Sequence, residues 1–159
     1  LEAPGFLGGG LDKAAELSER LREPDPARYQ AMQARLAEKR KEFAKAEQSW
    51  RRAVELAPAE PGPSPRSGGI RAGRLADLAR FLARQQRFAE SDAAFEQAAQ
   101  LAPDKADLKF SRARTYLEAK RNQGLARRLL EEYLKMSLTP DDPPRAEAER
   151  LLRSLGRAG

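Results

Sequence analysis

Three features of this chain have chemical potential. Asp141 and Asp142 stand side by side, Gly8-Gly9-Gly10 precedes the start of a helical pattern, and arginine recurs along the whole length. Neighbouring carboxylates can do acid–base work. A glycine-rich helix entry can offer free N–H groups to an anion. A guanidinium presents a planar fork suited to carboxylates and phosphates. The first two readings are weak. The aspartates lie between Pro140 and Pro143 at a helix start, where both read as caps. No Lys-Ser/Thr follows the glycines, so they read as a flexible entry and not as a phosphate loop. The chain has no Cys and no His. That removes disulfides, Cys-based metal sites, Cys nucleophiles and His general bases together. Only carboxylate, Lys or Ser chemistry remains, and these residues form no catalytic constellation. The expectation is a non-catalytic protein with no cofactor and no metal, whose chemistry is recognition by arginine.

The elements that position those arginines must be helices. The chain has 159 residues, 34% of them charged and only 6% aromatic, so a core has to be built from Ala and Leu. No hydrophobic run approaches the roughly 18 residues of a membrane span. No signal peptide is visible, and the chain opens at Leu1 without Met, which reads as a mature or trimmed fragment. Absence of Cys is compatible with cytoplasm and periplasm alike. Net charge is +6 and the pI is near 9.9. Both signs are interleaved along the helical stretches, as on solvated helix surfaces. The basic balance favours anionic partners.

Two stretches repeat one another. Phe43 to Pro58 aligns without a gap to Phe88 to Pro103: Phe first, an aromatic at the eighth place (Trp50, Phe95), Ala at the eleventh (Ala53, Ala98), and Leu-Ala-Pro at the end. Internal repetition on this scale means one supersecondary unit copied and stacked. Around it, apolar spacing predicts helices from Asp12 to about Glu23, from Pro26 behind an Asp25 cap, and from Ile70 through Leu82. Further helices carry Leu108 to Leu117 and Leu125 to Leu134. The last runs from Pro143 or Pro144 to Leu155 with Gly156 as its C-terminal cap. The count is about eight helices and no strands.

These helix pairs resemble the tetratricopeptide repeat, a unit of about 34 residues made of two antiparallel helices. The likeness rests on Leu75, Leu78, Ala79, Leu82, Phe88, Ser91, Phe95, Ala98 and Pro103 in one unit, and on Phe43, Ala46, Trp50, Ala53 and Pro58 in another. A third unit begins at Ala106 with Ala113 and Tyr116 in place. There Ala126 fits only with a one-residue shift, which puts Tyr133 where Ala is expected. The resemblance implies an all-α fold, a right-handed α-solenoid of about three helix pairs in a single domain. Its parts are an N-terminal helix 11–23, repeats at 27–60 and 72–105, a degenerate repeat 106–139 and a capping helix 143–156. A Pro/Gly-rich loop, 61–71, is inserted between the first two repeats and reads as a surface insertion or a flap beside the groove.

In that family the first helix of each unit lines a concave groove. The resemblance therefore places Arg35, Arg80 and Arg114 at one equivalent position in three successive units, with Lys39 and Arg84 adding charge in the first two. Glu118 breaks the series in the third. The groove implied would hold an acidic or extended peptide. The competing reading is that these arginines pair with neighbours such as Glu38 or Asp77. The Lys and Asn clamp that some members use for a C-terminal carboxylate is absent. The segment Pro4 to Ala14 is similar to one in some bacterial envelope repeat proteins, including transporter accessory subunits, which favours a periplasmic or envelope context over the cytoplasm. The reading is a bacterial scaffold that binds a protein or peptide partner. Nucleic-acid or polyanion binding through general basic charge is the alternative, and self-association through Leu151, Leu152 and Leu155 or the first helix is a third reading.

Overall fold

A computed structural model describes residues 8–58 and 69–157. Its elements are α1 (Gly8–Glu19), α2 (Pro26–Lys39), α3 (Phe43–Leu56), α4 (Ile70–Arg84), α5 (Phe88–Leu101), α6 (Ala106–Glu118), α7 (Gln123–Lys135) and α8 (Arg145–Arg157). Among the described residues there is no strand. The chain divides into two compact units, Leu1–Ala59 and Glu60–Gly159. In the first, α1 packs on α2 and α2 on α3. In the second, α4 pairs with α5 and α6 with α7, both helices of the first pair meet α6, and α8 packs on α7. The loop expected at 61–71 falls largely outside the described residues.

The repeated sequence produces repeated local structure. Helices α3 and α5 are each 14 residues long, from Phe to Leu. Both stop because of the proline that follows. Ala57 ahead of Pro58 has φ −72° and ψ 137°, and Ala102 ahead of Pro103 has φ −144° and ψ 70°. A proline ring excludes the helical region at the residue before it. At the other end of the hairpin, α2 opens with Asp25 accepting the Arg28 N–H at 2.9 Å and Pro26 in the first turn. Proline there gives up a hydrogen that would have no helical partner.

The turn inside each helix pair is the same in all three pairs. Lys41, Gln86 and Lys120 take φ of 61°, 60° and 53°. The Lys41 N–H donates to Glu38 O and the Glu42 N–H to Ala37 O. The bonds Gln86 to Ala83, Arg87 to Leu82, Lys120 to Leu117 and Arg121 to Tyr116 repeat that geometry, all at 2.9–3.1 Å. This is the Schellman closure, in which a left-handed residue lets two N–H groups satisfy the last carbonyls of the helix. In the third pair one further residue, Asn122 at φ 50°, follows the closure. The one-residue shift is therefore confined to the turn. Ala46, Ser91 and Ala126 all fall at the fourth place of their helices and are buried.

Small residues let the paired helices approach, and large ones fill what remains. Ala53 and Ala98 at the eleventh place, and Ala34, Ala79 and Ala113 on the facing helices, are fully inaccessible. Trp50, Phe95 and Leu130 at the eighth place are 2% exposed or less. Burial of a side chain such as Phe95 or Leu130 stabilises by roughly 1.5–3 kcal/mol. In α7 the eleventh place holds Tyr133. Its ring packs against Phe110 at 5.3 Å between centroids, inside a cluster with Tyr116, Leu130, Ala148 and Leu155. A second fastening is Arg121. It forks onto Asp92 at 3.1 and 2.5 Å while its guanidinium lies 4.7 Å from the Phe88 ring and 5.2 Å from Tyr116.

Three expectations need correction. Gly8, Gly9 and Gly10 belong to α1, so Asp12 lies within that helix and does not cap it. The helix ends at Glu19, and short bonds from Leu21 to Ser18 and Arg22 to Glu19 tighten the chain ahead of Pro24. Gly156 is helical inside α8, since a Schellman cap needs a left-handed residue and no glycine described here has positive φ. Asp142 turns its carboxylate back onto the N–H and hydroxyl of Thr139, at 2.8 and 2.9 Å, and holds a turn instead of capping α8.

A left-handed conformation costs a side-chain-bearing residue about 1–2 kcal/mol, and glycine escapes most of that. Gln86→Gly should therefore raise stability by about 0.5–1 kcal/mol in urea unfolding, part of the gain being offset by chain entropy. Gln86→Ala should leave the midpoint unchanged. Equal effects of the two substitutions would show that the turn is not under this constraint.

Candidate functional site

In the second unit, α4 and α6 line a groove of about 550 Å³, completed by Asp141 and Pro143 from the segment before α8. Its floor includes Ala76, Leu108, Phe110 and Thr115, all buried. Its walls carry Arg74, Arg80, Arg84 and Arg114 against Asp77, Asp107, Glu118 and Asp141. Four cations and four anions cancel, although the whole chain carries +6.

The charges are knitted together along each helix. Asp77, whose side chain is 13% exposed, takes Arg74 Nη1 at 3.1 Å and Arg80 Nη2 at 3.0 Å. The Arg114 Nε–H donates to Glu118 Oε1 at 2.9 Å, and Arg114 Nη1 lies 3.9 Å from Glu147 of α8. Lys105 Nζ lies 3.0 Å from Asp107 Oδ1. Three- and four-residue spacing on a helix places Arg74, Asp77 and Arg80, and likewise Arg114 and Glu118, side by side. Pairs as open as Arg114–Glu118 contribute about 0–1 kcal/mol each, so a ligand can exchange them at little cost. Three polar atoms of the lining, Arg74 Nε, Asp107 Oδ1 and Ser111 Oγ, are buried without a hydrogen-bond partner, and of these Asp107 Oδ1 has the Lys105 ammonium beside it.

Of the five residues assigned to a groove from the sequence, Arg80, Arg84 and Arg114 come together here. Arg35 and Lys39 stand on α2 in the first unit. The Arg35 guanidinium lies 5.8 Å from the centre of the Trp50 ring, whose indole N–H donates to Glu38 Oε1 at 2.8 Å. Lys39 is exposed in the last turn of α2, where a cation complements the helix dipole. Sequence reasoning missed Arg74 and the role of Asp141 in the lining. The Arg74 signal was its place three residues before Asp77 on the same helix. Nothing in the local sequence marks Asp141, which reaches the groove through tertiary packing.

That packing centres on Tyr133. Its hydroxyl donates to the Pro143 carbonyl, and Arg145 donates to the carbonyls of Leu134 and Met136 at the end of α7. The segment carrying Asp141 and Pro143 is thus tied to the end of α7 at Pro143 and Arg145. Among the described residues there is no cluster that could hold a metal ion, and no helix long and apolar enough to cross a membrane. No family model matches the chain, and no curated protein matches it at a significant level.

Burial, followed by the charges of Asp142 and Asp107, pushes the Tyr133 phenol up from 10.0 to about 12. The folded state thus favours the protonated phenol. The stability it contributes is complete below the unfolded value near pH 10 and is lost as pH rises toward 12. Urea midpoints at about pH 9 and about pH 11.5 should fall further for wild type than for Tyr133→Phe. Parallel losses in the two proteins would contradict this account of Tyr133.

Proposed function

We propose that this chain is a non-catalytic interaction module that holds a peptide or protein segment in the groove of its second unit. The reading takes the helix pairs as tetratricopeptide-like units, about three in number and forming a right-handed α-solenoid as that resemblance implies. A scaffold in a bacterial cell-envelope assembly or transport system is the setting it favours. The observation that carries it is the gathering of Arg80, Arg84 and Arg114, from the first helices of two successive pairs, around one groove with a partly apolar floor. Arginine is a residue of choice for fork-like recognition of carboxylates at interfaces. Arg35 supplies the same chemistry on α2, and Lys39 adds a point charge there.

Photo-cross-linking tests it. At Gly73, which lines the groove, an added side chain would begin in open space. Ala93 on α5 is exposed and outside the groove lining. With a benzophenone residue at 73, irradiation in a bacterial lysate should yield discrete protein adducts. The same residue at 93 should not. Adding Arg80→Ala and Arg114→Ala should reduce the adduct about tenfold, as expected when charged contacts at an interface are truncated. Equal adducts from both positions, or nuclease-sensitive capture, would contradict the reading.

A further inference from the structure

The cancellation of charge in the groove has a consequence for what it selects. Resting on the groove reading above, we propose that the ligand is an extended peptide segment carrying both an acidic and a basic residue a few positions apart, and not a purely acidic one. A polyanion or acidic peptide is drawn by net positive potential and by the counterions it releases. Here the lining has none to offer in sum. Arg80 and Arg114, on α4 and α6, each already face a carboxylate of their own helix. A single-sign ligand would break those pairs and leave Asp77 or Glu118 beside its own negative charge. A ligand of both signs can exchange partners with them instead.

The signs are also unevenly placed along α6, although Lys105 already faces Asp107 at one end and Glu118 faces Arg114 at the other. Asp107 lies in the first turn of α6. Asp141 belongs to the same end, because the adjoining Pro143 is held by Tyr133, and Tyr133 packs on Phe110, less than one turn beyond Asp107. Arg114 and Glu118 lie farther along α6, and Arg80 and Arg84 are in the second half of α4. Asp107 and Arg114 are seven residues apart, about 10 Å along a helix axis. An extended chain covers that length in about three residues at roughly 3.3 Å each. A segment lying along α6 would set its basic residue toward Asp107 and its acidic residue toward Arg114. The Ser111 hydroxyl lies between the two poles, buried and without a hydrogen-bond partner.

A random twelve-residue peptide library, displayed on phage and selected on the immobilised full chain, tests this. The expected winners carry Lys or Arg two to four positions from Asp or Glu. In the double variant Asp107→Asn, Asp141→Asn, with helicity checked by circular dichroism, the basic preference should disappear and the acidic one remain. Winners that are acidic only would overturn the mixed-charge proposal while leaving the groove reading standing. Winners unchanged by the double variant would also overturn it. No selection above background would remove the groove reading and this proposal together.

Discussion

The closeness of paired helices is the constraint on which the rest of this structure depends. Helices packed across side chains keep their axes about 8–10 Å apart, and the lower end of that range requires residues no larger than alanine at the crossing. Ala34, Ala46, Ala53, Ala79, Ala98, Ala113 and Ala126 meet that requirement and are fully inaccessible to solvent. Once two helices are this close, the eighth residue of the second helix must be large, and Trp50, Phe95 and Leu130 occupy that place. The short turns follow too. Each hairpin closes through a left-handed residue and its two capping bonds, and the chain accepts Lys41, Gln86 and Lys120 there although none is glycine.

The site inherits its geometry from the same packing. Alanine contacts between α4 and α5 hold α4 so that Arg74, Asp77, Arg80 and Arg84 present one charged face. The third pair departs from the pattern at Tyr133, whose bulk is absorbed by Phe110 and the residues of α8. That departure has a use, since Tyr133 also fastens the segment that completes the groove. A chain with 34% charged residues thereby places balanced charge over an apolar floor. On the proposed reading, that arrangement would favour selectivity by charge order over attraction by net charge.

Much of the fold was legible in the sequence because its signals are local. The Phe-to-Pro repeat marked both ends of α3 and α5, Asp25-Pro26 marked the start of α2, and apolar spacing located α4, α6 and α7. The illegible parts were those decided by tertiary packing. Lys41, Gln86 and Lys120 carry no mark of a left-handed residue, because glycine is the usual sign and is missing. Gly156 misled for the converse reason, sitting in a helix that continues past it. Asp142 read as a cap from its place between prolines at a helix start, but Thr139 offered both of its donors to the Asp142 carboxylate. For the site, the resemblance singled out Arg80, Arg84 and Arg114. It was silent on Arg74 and Asp141 acting with them, and so on the groove's neutrality.

The most direct test of the central constraint uses one substitution at two places on one helix. Ala98 of α5 is fully buried against its neighbours, while Ala93 of the same helix is exposed. Urea unfolding followed by circular dichroism would compare Ala98→Leu with Ala93→Leu. The account predicts that Ala98→Leu destabilises by about 1–3 kcal/mol through overpacking and that Ala93→Leu stays within about 0.5 kcal/mol of wild type. Equal effects at the two positions would mean that close packing through alanine does not hold these helix pairs together.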